Sequence, residues 1–256
     1  MSAAYKPMKI GVLNLSGNVG KTTCATQLLA PFRANAKLIS VETVNNSEAL
    51  DIESLQVEEL KASRFKDIYR ELMTHDDLIL DVGASNVATF MDELTKFRSA
   101  IGEFDMIMVP TVPADKQQKD TIATIEWLNK LGIDSDKIRV VFNQHDGADT
   151  ITQTYAHIMG YAATDGKKKA CWIPQPIVST NEIFELVKGT RKTIRELAND
   201  PTDWKAARNA AKAAGDMNAL DEAMDRQIAH DLSKAALANL EQAYEDLLSP
   251  YLKAKK

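Results

Sequence analysis

One stretch, residues 12–30 (VLNLSGNVGKTTCATQLLA), constrains this chain more than any other. An apolar run that reads as a buried strand passes into a glycine-containing turn, then Gly-Lys-Thr-Thr, then a helical pattern. Gly17 and Gly20 free the backbone to curl so that several N–H groups point inward, and the following helix adds its partial positive charge. Lys21 is placed to reach the outer phosphates of a nucleotide, and the Thr22 hydroxyl to take one Mg²⁺ position. The pattern GxxxxGK(S/T) asks for glycine where this chain has Leu15. The strand before and the helix after nevertheless make Ser16–Thr23 a phosphate cradle.

Apolar runs nearly free of alternation, the mark of strands buried on both faces, occur at 9–15, at 38–41 with Glu42 behind it, at 78–82, at 106–109 with Pro110 behind it, and at 138–142. A weaker sixth lies at 170–173. Helical patterns separate them at 20–33, 65–73, 114–131, 150–160 and 182–197. This alternation predicts an α/β fold: a doubly wound, mostly parallel sheet of the P-loop NTPase type, with ligands at the carboxyl ends of the strands. After Asp200-Pro201 the composition turns to Ala, Leu, Glu and Lys, so the expected organisation is a nucleotide-binding domain over 1–200 and a C-terminal helical extension over 201–256. Within the extension Leu220, Met224, Ile228, Leu232, Ala236, Leu240, Tyr244 and Leu248 form an i, i+4 row, read as a face packed on the domain or on a partner.

The formal net charge of −5 excludes bulk attraction to DNA, so any nucleic-acid contact needs a local basic patch. Lys188, Arg191, Lys192 and Arg195 on one helix, and the run Lys167–Lys169, are the candidates; a solvated helix face is the alternative. The two cysteines, Cys24 and Cys171, have no metal-ligand or cluster spacing, which fits a reducing compartment. No signal-peptide pattern and no run of about 18 apolar residues occurs, so the expected location is cytoplasmic. The acidic residues Glu241, Glu245 and Asp246, set against the basic tail Lys253–Lys256, argue against a membrane-surface helix.

Asp81 closes the third run (LILDV) beside the cradle, where a carboxylate holds the water shell of Mg²⁺, and Gly83 lets backbone approach the terminal phosphate. A surface turn is the competing account.

The cradle resembles the deviant Walker A loop, KGGVGKTT, of the ParA/MinD superfamily. Gly17, Val19, Gly20, Lys21, Thr22 and Thr23 match it, Asn18 replaces its second glycine, and Ser16 stands where that family has its signature lysine. The combination with LLAP and VETVN is similar to the StbB-type plasmid stability proteins, which carry SGNVGK. The resemblance spans about residues 8–198. It implies ATP/ADP and Mg²⁺ as ligands, Asp81 as the Walker B acid, and Glu42 as the carboxylate that positions the attacking water, an exposed strand-end acid being the alternative. It reads Asn45 and Asn46 as part of a switch segment, Asn143 as a contact to the adenine edge, and 172–176, with Ile173 and Pro174, as the loop over the base. A plain turn accounts for either of the last two equally well.

The function implied is that of a ParA-like ATP-binding protein, a slow ATPase, in plasmid segregation, positioning or stability. Its implied partners are an ATP-dependent homodimer, a plasmid-encoded DNA-binding protein and non-specific DNA. Serine at 16 cannot make the family's charged contact across a dimer, which favours slow hydrolysis. A nucleotide-dependent adaptor and a ligase of the dethiobiotin synthetase type are the competing functions.

Overall fold

The computed structural model describes residues 6–42 and 52–252. Asn45, Asn46 and Lys253–Lys256 lie outside the described residues. Seven parallel strands form one sheet in the order β3-β2-β4-β1-β5-β6-β7. They are β1 (Lys9–Val12), β2 (Lys37–Val41), β3 (Val57–Leu60), β4 (Leu78–Val82), β5 (Met106–Thr111), β6 (Ile138–His145) and β7 (Ile177–Ser179). The helices in chain order are α1 (Lys21–Thr23), which continues π-wound through Cys24–Leu29, α2 (Phe65–Thr74), α3 (Ala84–Lys96), α4 (Ser99–Glu103), α5 (Asp115–Leu131), α6 (Ile151–Thr154), α7 (Ala156–Ala163), α8 (Ile183–Leu186), α9 (Ile194–Ala198), α10 (Trp204–Ala214) and α11 (Met217–Leu252).

Strand alternation sorts the side chains into two cores. Leu78, Leu80 and Val82 of β4 join Phe65, Phe90 and Leu128 on the face of α2, α3 and α5. Ile10 and Val12 of β1 and Ile79 of β4 join Leu28, Ile183, Leu197 and Leu240 on the face of α1, α8, α9 and α11. The same period of two aims Asp81 at α1. Pro110 is tolerated in a central strand because β1 pairs with β5 only as far as Met108, and the Pro110 carbonyl instead accepts from Asn14 Nδ2 at 2.9 Å.

The structure adds a strand that the sequence did not reveal and changes two expectations. Strand β3 is an edge strand with two glutamates, Glu58 and Glu59, and only Leu60 buried, so it lacks the apolar run that marks central strands. Residues 170–173 are not a strand: a single bridge joins Cys171 to Arg139, and the Arg139 guanidinium takes the carbonyls of Cys171 and Pro174. The predicted helix 182–197 is broken. A turn over Val187–Gly189 and Arg191 at φ 58 end its first part, and a Thr193–Glu196 capping box starts α9.

The apolar row on α11 also divides. Ala236, Leu240, Tyr244 and Leu248 are buried, whereas Met224 and Ile228 are exposed. Positions four apart advance about 40° round a helix of 3.6 residues per turn, so a straight i, i+4 row drifts off any one face. From Ala229 on, the buried residues Ala229, Ser233, Ala236, Leu240, Ala243 and Leu247 follow the 3.6 period instead, with Tyr244 and Leu248 widening the face near its end.

Candidate functional site

The cradle forms because β1 ends at Val12 while its continuation is held by side chains of α5. Asn14 donates to Thr121 Oγ1 at 2.7 Å and accepts from the Ser16 N–H at 2.8 Å, and Leu15 N–H donates to Thr124 Oγ1 at 3.1 Å. With the loop's entry fixed, Asn18 (φ 56) and Gly20 (φ 81) adopt left-handed backbone that turns the chain into α1. A Cβ at Gly20 would overlap the Asn143 amide, and that amide donates to the Val19 carbonyl at 3.0 Å.

Lys21, only 7% exposed, curls back so that Nζ donates to the Ser16 carbonyl at 2.7 Å. Burial pulls its pKa down, against the pull of Asp81 and Glu42 upward. The Thr22 hydroxyl donates to Asp81 Oδ2 at 2.7 Å, and Asp81 Oδ1 has no hydrogen-bond partner among the described residues. Burial raises the Asp81 carboxyl from 3.8 to about 6; the Thr22 hydrogen bond and Lys21 oppose the rise, and Glu42 adds to it. Glu42 follows β2, and its carboxylate lies where a Cβ at Gly83 would be, so only glycine permits this approach. Cys24, inside α1, has its thiol pushed up to about 12 by burial and by Asp81, which makes it an inert core group.

Gly17, Asn18, Gly20, Lys21, Thr22, Thr23, Glu42 and Asn143 line a cavity of about 750 Å³ at the carboxyl ends of β1, β4 and β6. Val19 is fully buried beneath it and Asp81 stands behind Thr22. Ile173 and Pro174 do not line it. Ile173 is exposed, and the carbonyls of both residues face the guanidinium of Arg139 near the start of β6. Residues 179–182, from the last residue of β7 onward, line the cavity instead. Sequence reasoning passed over them because a three-residue strand leaves no periodicity to find. A larger cavity of about 950 Å³ opens among Arg33, Lys37, Glu58 and His75 at the amino ends of β2 and β3. Size does not favour it, because ligands of parallel sheets sit at carboxyl ends.

The donor set fits a hard cation. An orphaned, buried carboxylate oxygen beside a hydroxyl matches Mg²⁺ chemistry. Among the described residues no cluster of three or more His, Cys, Asp or Glu side chains exists. A divalent ion held here would draw its remaining ligands from outside the protein.

The apo form of McdA from Cyanothece aligns over 90% of this chain and 99% of its own at 15% identity and a TM-score of 0.50. A chain of the MinC:MinD cell division protein complex of Aquifex aeolicus aligns over 73% of this chain and 87% of its own, at 15% identity and a TM-score of 0.50. What the chain shares with them is the fold, a parallel sheet with helices on both faces. No family model and no curated protein matches the sequence. Within that fold the four basic residues proposed as a DNA face are dispersed. Arg195 donates to the Pro31 carbonyl and lies over the Phe32 ring, Lys192 faces Asp200, Arg191 pairs with Glu53, and Lys188 pairs with Glu185. The broken helix removes the single face they were expected to share. No helix among the described residues is long and apolar enough to cross a membrane.

Proposed function

We propose that this chain is a ParA/MinD-like ATP-binding switch with slow hydrolysis, working in the segregation, positioning or stability of plasmid DNA. The observation that carries the nucleotide reading is the Thr22–Asp81 pair beside the Lys21 ammonium, with Asp81 Oδ1 left over at the mouth of a helix N-terminus. Gly17–Thr23 and Lys21 bind the phosphates, and Thr22 and Asp81 hold Mg²⁺, which neutralises phosphate charge. Glu42 orients water at Gly83, and Asn143 braces the loop. The likeness of Gly17–Thr23 to the deviant Walker A loop supports ATP over other nucleotides, an ATP-dependent homodimer and a DNA-binding partner protein. The nucleotide-binding unit on this reading is 1–200, with 201–256 packed against it through α11.

Asp81→Asn tests the metal site with two readouts of opposite sign. Mg²⁺-dependent ATP affinity falls at least about 10-fold, while Mg²⁺-free affinity changes little. The ligand-free protein becomes more stable at neutral pH. A carboxyl whose folded pKa is raised holds its proton better when folded, so its contribution is full below pH 4 and is lost as pH rises through about 6. The shift, about two pH units, sets an upper bound of ~3 kcal/mol on the gain. Equal loss of affinity with and without Mg²⁺ in calorimetry refutes the metal assignment.

Slow hydrolysis rests on Ser16, which is 2% exposed, with its side chain beside the Asp120 carboxylate. A residue so enclosed does not reach across a dimer. Ser16→Lys, combined with Asn18→Gly, is therefore expected to lower the melting temperature, because the new ammonium must break the Asp120 contact or be buried. An unchanged melting temperature, with ATPase activity raised about 10³-fold or more, would show that position 16 faces outward and supplies a cation in trans.

A further inference from the structure

The basic cluster at 188–195 is dispersed, but one of its members has a place at the nucleotide cavity. Ile183 and Val187, both buried, anchor α8 and the turn after it, and this sets Lys188 on the cavity side of that turn. Lys188 lines the 750 Å³ cavity that contains the cradle. It also lines a second cavity of about 200 Å³ with Thr22, Thr23 and Gln27, on the flank of α1 that includes neither Glu42 nor Gly83. Its ammonium lies 3.1 Å from Glu185, and its side chain is 46% exposed, so the pair can rearrange without disturbing the core.

On the reading of the cavity as a nucleotide site, we propose that Lys188 is a second phosphate-binding cation, supplied in cis, that contacts the phosphate nearest the nucleoside. Two observations place it at that end. Lys21, Glu42 and Gly83 line the large cavity but not the small one that Lys188 shares with Thr22 and Thr23, and they mark the side where the terminal phosphate and its metal belong. Lys188 instead shares its surroundings with Thr23, the next N–H along the helix N-terminus, and with the segment after β7. Glu185, which lines the same cavity, holds the ammonium in the ligand-free protein and gives it up to phosphate, exchanging one oxyanion for another. The cation therefore acts on every nucleotide that carries this phosphate, and it does not replace the missing lysine at position 16, whose work is on the terminal phosphate.

The test is calorimetry of Mg²⁺-ADP and Mg²⁺-ATP with the whole chain, at protein concentrations where it is monomeric, for Lys188→Ala, Lys188→Arg and Glu185→Gln. Lys188→Ala is expected to weaken both nucleotides by the same factor, about 10-fold, the weight of one charge-assisted hydrogen bond at a half-exposed site. Lys188→Arg restores most of the affinity. Glu185→Gln tightens both nucleotides about 3-fold, because it removes the competing carboxylate. The melting temperatures stay at that of the unaltered protein. Unchanged affinities in Lys188→Ala overturn the proposal while leaving the nucleotide site intact. A loss confined to ATP overturns the placement at the nucleoside end. Failure of the unaltered protein to bind either nucleotide overturns the reading of the site itself, and the proposal with it.

Discussion

Lys21→Ala is expected to reduce ATP and ADP affinity by at least about 100-fold, since on the proposed function the ammonium makes two or more charge-assisted hydrogen bonds to phosphate. The folded chain survives the substitution. Although Lys21 is almost fully enclosed, its charge is there at a cost: burial lowers its pKa despite the neighbouring Asp81 and Glu42. A depressed lysine pKa means that the folded state resists protonation, so removing the ammonium relieves the ligand-free protein. Lys21→Met keeps the apolar stem and is expected to melt at or above the temperature of the unaltered chain. Such a result locates a deliberately unfavourable charge at a binding site, the usual trade between stability and function. Calorimetry of the folded variant decides the matter, and retained micromolar affinity would dismiss the cradle assignment.

The second large effect lies far from the nucleotide cavity. Arg139 is fully buried at the start of β6, and no carboxylate pairs with it among the described residues. Its guanidinium instead donates to the carbonyls of Cys171, Pro174, Asp246 and Leu247 at 2.8 to 3.2 Å, and to that of Ile173 at 3.4 Å. Without it the Asp246 carbonyl keeps, among the described residues, only the Ser249 hydroxyl, at 3.3 Å. Pro250, four residues on and inside α11, has no N–H to give it. The positive charge also meets the negative end of a 36-residue helix. Arg139 thus fastens α11 and the 171–174 loop to the sheet. Arg139→Met is expected to cost about 3–5 kcal/mol, because several buried carbonyls lose their donor together. For a chain of this length that corresponds to a fall in melting temperature of roughly 6–20 °C. A loss below about 1 kcal/mol in urea denaturation would mean that water or backbone groups replace the guanidinium.

Most of the sheet was legible because its central strands are buried on both faces. β1, β4, β5 and β6 carry runs of Ile, Val, Leu and Met that no exposed segment could sustain. The edges were not legible. Leu60 is the only buried member of β3, and β7 has three residues, so neither offers a pattern. The meeting of the Gly17–Thr23 turn with Asp81 could be read because glycines and a Gly-Lys-Thr mark a strand-to-helix turn, and because Asp81 ends an apolar strand beside it. Ile173 and Pro174 were misplaced since a Pro-containing turn after an apolar run looks the same at either end of a strand. The basic cluster was placed on one helix for a similar reason. A sequence shows that four cations lie close along the chain, but not that Arg191 at φ 58 turns the backbone between them.

The sequence by itself determined the local chemistry: a glycine-relaxed loop, a lysine at a helix start, a hydroxyl after it, and buried strands to carry them. These depend on neighbours within a few residues, so backbone freedom and hydrophobic period suffice to read them. Only the tertiary structure decided which distant groups meet. It set Glu42 against Gly83, turned Ser16 inward to Asp120, brought Lys188 from beyond β7 to the flank of Thr23, and placed Arg139 under the end of α11. Each of these contacts joins residues far apart in sequence, and each depends on strand order and crossover. Sheet order is fixed by the packing of whole elements against one another, which no local window of residues contains.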